Sequence, residues 1–393
     1  MDEMSVPPPP NNGLVRLNRT FSFRSPGTQR TEALASLNFT DEHARAMEGM
    51  AGTRTGQSCP CLFLNFSAGP WPFHVPALML SGLGLRRKPL QHMDTAQHGH
   101  EPVLLNEALE LLSAQSGETI LDCTTGRGGH ALALAKKIGK SGTLVCLDVD
   151  PGNLEFARER LKDAAPHCRF FQANFAQLGD VLDAADIPAV DVILADLGVS
   201  TNQMLSEQYG LSFTVDGPLD MRLDPRLEHT AEELVNGLPE KQLADLIFNN
   251  AQDRLSRRIA RSIVQARRVK KITTTAQLAA LVRAAVPYTR FGQIDPATRT
   301  FQALRMEVNH EMENLSELLK AAQSRLKPGG RIGIISFHSG EDRVVKQMFR
   351  QWASDNRCDV LTSKPIVPTE FEMASNPRSR SAKMRVARMR MDE

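Results

Sequence analysis

Short apolar runs alternate with amphipathic segments from about residue 100 to the end of the chain. Apolar positions at helical spacing predict helices over 102–112, 131–137 and 342–352. Buried-type apolar runs predict strands at 120–121, 143–147, 169–175, 190–197 and within 326–338. Strands that alternate with helices are typical of an α/β fold with a doubly wound, Rossmann-like parallel sheet. Such a sheet binds its ligands at the carboxyl ends of its strands.

Residues 206–304 interrupt this alternation with a stretch of helical character. Segments 230–249 and 275–286 carry helical periodicity, and each opens near a threonine that can cap a helix. We therefore predict an inserted all-helical domain, and the family resemblance described below implies that this domain recognises the substrate.

Arginines line one face of a further helix inside this insertion. Residues 254–271 carry eight positive charges and no acid, and the first four arginines fall at i, i+3, i+4 and i+7. A solvated helix face is the ordinary alternative for a run of charge. Because no acid balances these charges, a surface that contacts phosphates is favoured. The candidate RNA-binding residues are Arg254, Arg257, Arg258, Arg261, Arg267 and Arg268.

The first 98 residues differ from the rest in composition. They contain the proline run 7–10, and prolines also interrupt the apolar stretch 61–85, which argues against a membrane helix. We expect a disordered or dispensable leader, with Met93 a sufficient start. The predicted divisions are 1–98 for the leader, 99–205 for the first part of the sheet domain, 206–304 for the helical insertion, and 305–393 for the second part with a basic C-terminal tail.

The net charge and the spacing of the cysteines limit the functions that this chain can have. The net charge is only +2, so affinity for nucleic acid has to come from local clusters. Cys59 and Cys61 have no second pair at zinc-ligand spacing, and we predict no metal. A cytoplasmic location is expected. The alternative is the mitochondrial matrix, because arginines among serines and threonines in the leader faintly resemble a presequence.

A glycine turn follows the first predicted strand. Gly126, Gly128 and Gly129 let the backbone approach a ligand closely. Asp148 follows Gly128 by 20 residues, the separation expected of a carboxylate that grips a ribose hydroxyl. The turn is therefore expected to bind a cofactor that contains adenosine.

Two cofactors compete for this turn, a nicotinamide dinucleotide and S-adenosylmethionine. The pattern Gly126-x-Gly128-x-x-Ala131 formally fits a pyrophosphate seat. Asp122, at the carboxyl end of the first strand, would repel a pyrophosphate but suits the cationic amino and sulfonium groups of S-adenosylmethionine. The methyl donor is favoured over the dinucleotide.

Asp196 ends the fourth predicted strand, where a methyltransferase of this fold places its substrate. An exocyclic base amine is a poor nucleophile, because its lone pair is delocalised into the ring. A carboxylate that accepts from its N–H groups restores that lone pair. Asp196 could equally hold the methionine end of the donor, or cap the next turn.

Seven motifs between His100 and Ser381 are similar to those of one family. They are His100–Ala108, Gly126–His130, Asp196–Ser200, Asp216–Arg222, Ala297–Arg305, Ser336–Ser339 and Asn376–Ser381. In these the chain resembles the MraW/RsmH family, the small-subunit ribosomal RNA methyltransferases that act on cytosine N4. The resemblance implies a class I methyltransferase sheet with an inserted helical domain.

The resemblance also implies roles for individual residues. Donor contacts are expected from Gly128, Gly129, His130, Asp148, Phe175, Asp196 and Gln203, in addition to Asp122. Asp196 is the candidate catalytic residue, and Phe213 and His338 are candidate walls for an extruded base. The expected partner is small-subunit ribosomal RNA or the assembling subunit, without membrane association. The oligomeric state is left open, with a dimer as one alternative.

Overall fold

The computed structural model describes residues 102–164, 167–286 and 295–391. A single seven-stranded sheet runs through them. Its strands are β1 (Thr119–Asp122), β2 (Thr143–Asp148), β3 (Cys168–Gln172), β4 (Val190–Asp196), β5 (Leu326–Ser336), β6 (Cys358–Val360) and β7 (Lys383–Met389). The leader and the boundaries predicted for it lie outside the described residues.

The strand order is β3-β2-β1-β4-β5-β7-β6, with β1 to β5 parallel. The chain moves outward from β1 to β3, then crosses back to β4. This reversal makes the carboxyl ends of β1 and β4 a topological switch point, where open α/β sheets bind ligands. Asp122 pairs in register with Leu194, and Asp196 with Ile335, so the strand ends lie side by side. The predicted Rossmann-like α/β fold class is confirmed.

The predicted basic tail is wrong. Residues 383–389 form β7, which runs antiparallel to β5 on one side and to β6 on the other. Arg385 is buried and donates to Asp342 Oδ1 at 2.6 Å. Alternate apolar residues of β7, such as Met384 and Val386, join the core. The charges of this segment therefore hide a buried strand that composition alone does not reveal.

Thirteen α-helices accompany the sheet in the described residues. They are α1 (Leu105–Leu112), α2 (Gly129–Ile138), α3 (Pro151–Leu161), α4 (Leu178–Ala184), α5 (Thr201–Leu205), α6 (Ala231–Gly237), α7 (Glu240–Ala251), α8 (Ser256–Arg267), α9 (Thr275–Ala285), α10 (Ala297–Val308), α11 (Glu311–Arg325), α12 (Ser339–Ser354) and α13 (Glu370–Ser375). No helix among them is long and apolar enough to cross a membrane.

Both faces of the sheet are covered. Helices α1, α2 and α3 pack on one face against residues such as Ile120 and Leu194. The alternate residues Leu121, Val145 and Ile193 point to the opposite face and are fully buried as well. A strand that is buried on both faces has a continuous run of apolar residues in its sequence, and these strands were predicted from such runs.

Helices α6 to α10 follow β4 and precede β5 along the chain, and they share an apolar cluster of their own. The single helix predicted over 230–249 is wrong: it is split at Leu238 and Pro239 into α6 and α7. Proline ends the first helix because it lacks an N–H donor. All described residues fall within one compact unit, and α10 extends to Val308. The domain boundaries at 206 and 304 stay a prediction.

Candidate active site

Unpartnered polar atoms concentrate where β1, β4 and β5 end. Five buried side-chain N or O atoms in the described residues lack a hydrogen-bond partner. Four of them belong to Asp122, Asp196, Ser200 and His338, which end or follow these three neighbouring strands. Buried polar groups are almost always paired, so such a concentration marks a site that a ligand completes.

Asp122 carries the most deeply buried of these atoms. Its side chain is 1% exposed; Oδ1 accepts the Thr124 N–H at 3.2 Å, and Oδ2 has no partner. Burial raises the pKa of this carboxyl from 3.8 to about 7, with a further contribution from the charge of Asp148. A carboxylate that is expensive to ionise in the free protein is stabilised by a cationic ligand.

The glycine turn and Asp148 hold each other in place. The Gly126 N–H donates to Asp148 Oδ2 at 2.7 Å, and the Asp150 N–H donates to Oδ1 at 2.9 Å. Burial raises the pKa of Asp148 to about 6. Each oxygen keeps one lone pair for a further donor, such as a hydroxyl. The ribose contact of Asp148 stays a prediction.

Gly128 and Gly129 shape the start of α2. Gly128 has φ +77°, the left-handed region that favours glycine, and it caps the helix. A Cβ on Gly129 would lie 2.7 Å from Pro102 Cγ, so α2 begins too close to this proline for a side chain. The predicted turn is therefore a place of close backbone approach.

Asp196 faces His130 across the strand ends. Its Oδ2 lies 3.8 Å from His130 Nδ1, and its backbone N–H donates to Thr124 Oγ1 at 2.6 Å. Burial lowers the pKa of His130 to about 4, so the imidazole is neutral at pH 7. His130 Nε2 lies 3.0 Å from the Val103 carbonyl, which can only accept, so Nδ1 is left as an acceptor.

The pKa of Asp196 is raised well above its ordinary value. Burial is the largest cause, followed by the charges of Asp122 and Glu341. The carboxyl is thus a stronger base than an exposed aspartate, and its Oδ1 has no partner. A group in this state can accept hydrogen bonds from an amine and then its proton.

Gln203 is brought to the site, but both ends of its amide have protein partners. Its Nε2 donates to Asp150 Oδ2 at 2.8 Å, and its Oε1 accepts the Ser200 N–H at 3.0 Å. The Tyr209 hydroxyl donates to the same Asp150 oxygen at 2.8 Å. Sequence reasoning missed Asp150 and Tyr209. The available signal for Asp150 was its place before Pro151, because an aspartate followed by proline is typical of a helix N-cap.

Phe175, Phe213 and His338 are partly buried and contact other parts of the protein. Phe175 does not end the third strand: β3 stops at Gln172, and Phe175 opens a short 3₁₀ helix. Phe213 packs edge-on against Phe301, with ring centroids 5.1 Å apart. His338 caps α12, where its Nδ1 accepts the Glu341 N–H. Its Nε2 lies 3.2 Å from Glu341 Oε1 without hydrogen-bond alignment. Their contacts with donor or base stay predictions.

The arginine helix is formed as α8, with its apolar side in the helical core. Arg254, Arg257, Arg258 and Arg261, hereafter the arginine face, are all exposed. The predicted helix is shorter at its start, so Arg254 lies in the turn before α8 and the other three lie on the helix. Arg268 is exposed as well. Arg267 is different, because its guanidinium donates to the carbonyls of Val235 and Leu238, both at 2.6 Å. Arg267 thus ties α8 to α6, and its assignment to RNA is not supported.

Among the described residues, one cluster of side chains has the composition of a metal site. Glu311, His338 and Glu341 bring ligand atoms within 4.8 Å of one another. Arg305 already donates to both oxygens of Glu311, at 2.7 and 2.9 Å. The cluster is therefore an ion-pair and capping network. A 540 Å³ cavity lined by Leu326 and Pro328 lies at the other end of β5 and does not involve the strand-end carboxylates.

Comparisons with known proteins agree with this geometry. A family model described as the MraW methylase family matches residues 97–390. Ribosomal RNA small subunit methyltransferase H of Koribacter versatilis is 45% identical over 300 residues, which cover 74% of this chain and 94% of that protein. The protein of the same name from Syntrophobacter fumaroxidans is 45% identical over 302 residues, with 73% and 95% covered.

The fold also has counterparts among solved structures. An rRNA methylase from Streptococcus thermophilus is 10% identical, with 73% of this chain and 94% of that chain covered and a TM-score of 0.35. This likeness is too remote to carry an argument about the site.

Proposed function

The chain belongs to the MraW methylase family, and from that premise we propose that it methylates the N4 amine of a cytidine in small-subunit ribosomal RNA. Its donor is S-adenosylmethionine. The relatives named ribosomal RNA small subunit methyltransferase H support the RNA substrate, since this chain aligns with nearly their whole length. The observation that carries the proposal is the set of buried, unpartnered oxygens of Asp122, Asp196 and Ser200 at the switch point of the sheet.

The strand-end residues fit a cationic donor. S-adenosylmethionine supplies a methyl group on a positively charged sulfur. Asp122, Asp148 and Asp196, hereafter the strand-end acids, all have a raised pKa. Burial is the largest cause for each, and the charges of neighbouring carboxylates add to it. A cation relieves this mutual repulsion, whereas a pyrophosphate would increase it. The same acids therefore select against a dinucleotide.

Asp196 is proposed to act on the amine of the target base. Its free Oδ1 accepts an N–H of the amine, which returns electron density to the nitrogen. Its raised pKa lets it take the proton that the nitrogen loses once the new N–C bond has formed. The imidazole of His130 lies 3.8 Å from Asp196 Oδ2 and is neutral at pH 7, so it adds no positive charge that would lower the basicity of this carboxylate.

The arginine face supports a nucleic-acid substrate over a small one. All four of these arginines are exposed, Arg254 in the turn before α8 and the other three on the helix. Within the described residues, Arg261 alone of the four forms an ion pair, with Glu240 at 3.4 Å. A small-molecule methyltransferase has no use for such a surface. The substrate is proposed to be single-stranded or splayed at the target, since a paired amine cannot reach the donor. The proposed place of action is the cytoplasm, with the assembling ribosomal subunit as partner.

The test is methylation of small ribosomal subunits from cells that lack this protein. The full chain is incubated with S-adenosylmethionine labelled in its methyl group, and the RNA is then digested to nucleosides. Label in N4-methylcytidine is the expected result. Label in another nucleoside would refute the N4 assignment, and donor binding without any transfer to RNA would refute the enzymatic role.

A further inference from the structure

Arg378 lies beside the strand-end site although it is far away in sequence. Its Nη1 donates to Thr201 Oγ1 at 2.8 Å, across a separation of 177 residues. Thr201 opens α5 directly after Ser200, whose Oγ is one of the unpartnered buried atoms. Asp196 precedes Thr201 by five residues. Arg378 therefore reaches the loop that carries the proposed base.

The backbone around Arg378 is firmly anchored. Arg378 belongs to a short 3₁₀ helix, Pro377–Ser381, between α13 and β7. Its neighbour Ser379 is fully buried, and both its N–H and its hydroxyl donate to the Asn376 carbonyl, at 2.9 and 2.8 Å. An arginine held at its backbone loses less entropy when it binds a ligand.

The charge of Arg378 is uncompensated. The more deeply buried Arg331 and Arg385 pair with Glu118 and Asp342, at 2.8 and 2.6 Å. In the described part of the chain, no carboxylate forms an ion pair with Arg378, and Thr201 is its recorded hydrogen-bond partner. Partial burial lowers the pKa of its guanidinium, because the charged form loses contact with water and no carboxylate compensates for this loss.

A half-buried guanidinium with unused donors is suited to an anion. Arginine has five N–H donors in a planar fork, which matches the oxygens of a phosphate group. Two anions could fill this position, the carboxylate of the donor and a phosphate of the RNA. Arg378 contacts Thr201 in the loop that follows Asp196, the proposed base, and this favours the phosphate of the RNA. RNA presents one phosphate per nucleotide, within one backbone repeat of the target base.

We propose that Arg378 binds a backbone phosphate of the RNA next to the target cytidine and so sets the target base at the strand-end site. This inference rests on the proposed function. In this inference Arg378 binds one phosphate and so positions the target base. The arginine face has a different role, because it attracts the RNA as it approaches the protein.

The test compares Arg378→Gln with Arg380→Gln in the full chain. Arg380 is two residues away and exposed, so both variants lose one positive charge from the same short helix. Methylation of small ribosomal subunits gives KM and kcat, and calorimetry with S-adenosylmethionine gives the donor Kd. Arg378→Gln is expected to lower kcat/KM for the subunits by about ten- to a hundredfold, the value of a charged hydrogen bond, with an unchanged donor Kd. Arg380→Gln is expected to stay within about threefold of wild type.

Two further variants separate binding from folding. Arg378→Lys keeps the charge but loses the fork, so an intermediate kcat/KM is expected. Thr201→Val keeps the shape but releases the guanidinium from its hydroxyl, and a smaller loss in the same direction is expected. Thermal unfolding of each variant shows whether the fold is retained.

Each remaining outcome overturns a defined statement. If Arg378→Gln and Arg380→Gln fall equally, Arg378 contributes only general charge and the inference is wrong. If the donor Kd rises with Arg378→Gln, the arginine holds the donor carboxylate, and the inference is again wrong. If the wild-type chain binds donor but leaves the subunit RNA unmethylated, the proposed function fails, and this inference with it.

Discussion

The strand-end acids and the arginine face use charge in opposite ways. The acids are few, and Asp122 and Asp196 each have a buried carboxylate oxygen without a partner, whereas the arginines are exposed on α8 and in the turn before it. A buried charge interacts strongly with one correctly placed partner, because little water screens it. Exposed charges act together at longer range and weaken with salt. The comparison indicates that donor selection lies at the sheet and RNA attraction on the inserted helices.

The largest effect is expected from Asp196→Ala. The variant loses the proposed acceptor for the amine and its proton, so kcat should fall by about a thousandfold, within the range for general-base removal. Single-turnover methylation of small ribosomal subunits measures it. The arginine face is unchanged in this variant, so its RNA affinity should equal that of wild type.

Asp191→Ala is the matched control, because Asp191 lies near the other end of β4. Its carboxylate pairs with Lys327 and accepts the Thr119 N–H, both contacts within the sheet. This change should reduce stability and leave kcat unchanged. Near-normal turnover by Asp196→Ala would remove that residue from the mechanism.

A somewhat smaller effect is expected from Asp122→Asn on donor binding. Asparagine keeps an acceptor for the Thr124 N–H but carries no charge toward a cation. The donor Kd should rise by about ten- to a hundredfold at pH 7.5, the value of a charged hydrogen bond. Calorimetric titration measures this, and 1 M salt should change the result little, since the site is enclosed. An unaltered Kd would place the donor elsewhere.

The arginine face should give a moderate, salt-dependent effect. Replacement of Arg254, Arg257, Arg258 and Arg261 by glutamine should raise KM for RNA by about tenfold at physiological salt and reduce the slope of log affinity against log salt by about 3. The donor Kd should not change. Filter binding of small-subunit RNA over a range of salt concentrations measures the slope.

The control for this variant removes the same net charge elsewhere. The exposed lysines Lys136, Lys137, Lys140 and Lys364 are replaced by glutamine. If both quadruple variants lose RNA affinity equally, only net charge matters, and the distinction of the arginine face disappears.

The smallest effect is a gain in stability from Asp122→Asn. A carboxyl whose folded pKa is raised stabilises the fold most at low pH, and this contribution is lost as the pH rises through the folded value of about 7. The neutral variant avoids that loss, so its Tm should exceed that of wild type by about 2 to 5 °C at pH 8 and by less at pH 5. Differential scanning calorimetry without donor measures both.

For Asp342→Asn, at another aspartate, a change in Tm of the opposite sign is expected. Asp342 pairs with buried Arg385, so its removal leaves an uncompensated cation and should lower Tm. A Tm decrease for both variants would mean that Asp122 is paired in the folded protein.

Local patterns predicted most of the sheet and its glycine turn. The strands are continuous apolar runs, and Asp122, Gly128 and Asp148 follow strand ends that neighbour each other in any sheet of this order. The contacts between distant residues that hold the site together could not be predicted from local sequence patterns. Asp150 meets Tyr209 across 59 residues, and Arg378 meets Thr201 across 177, and no periodicity encodes either pair.

The errors have physical causes as well. β7 was interpreted as a tail because three of its seven residues are charged, although the strand lies between two others in the sheet. The buried Arg385 is tolerated only because Asp342 pairs with it. Arg267 was grouped with the exposed arginines because charge alone does not show that a guanidinium caps two carbonyls. In both cases the missing information is the identity of a distant partner.

The most direct test of the central claim is the pH dependence of S-adenosylmethionine binding to the wild-type chain. Asp122 is half protonated near pH 7 in the free protein, and a bound cation favours its charged form. Binding must then release a proton, and affinity should rise by about five- to tenfold between pH 6.0 and 7.5. Titration in two buffers of different ionisation enthalpy counts the released protons. Affinity that is independent of pH, without proton release, would contradict the claim that buried carboxylates hold a cationic donor.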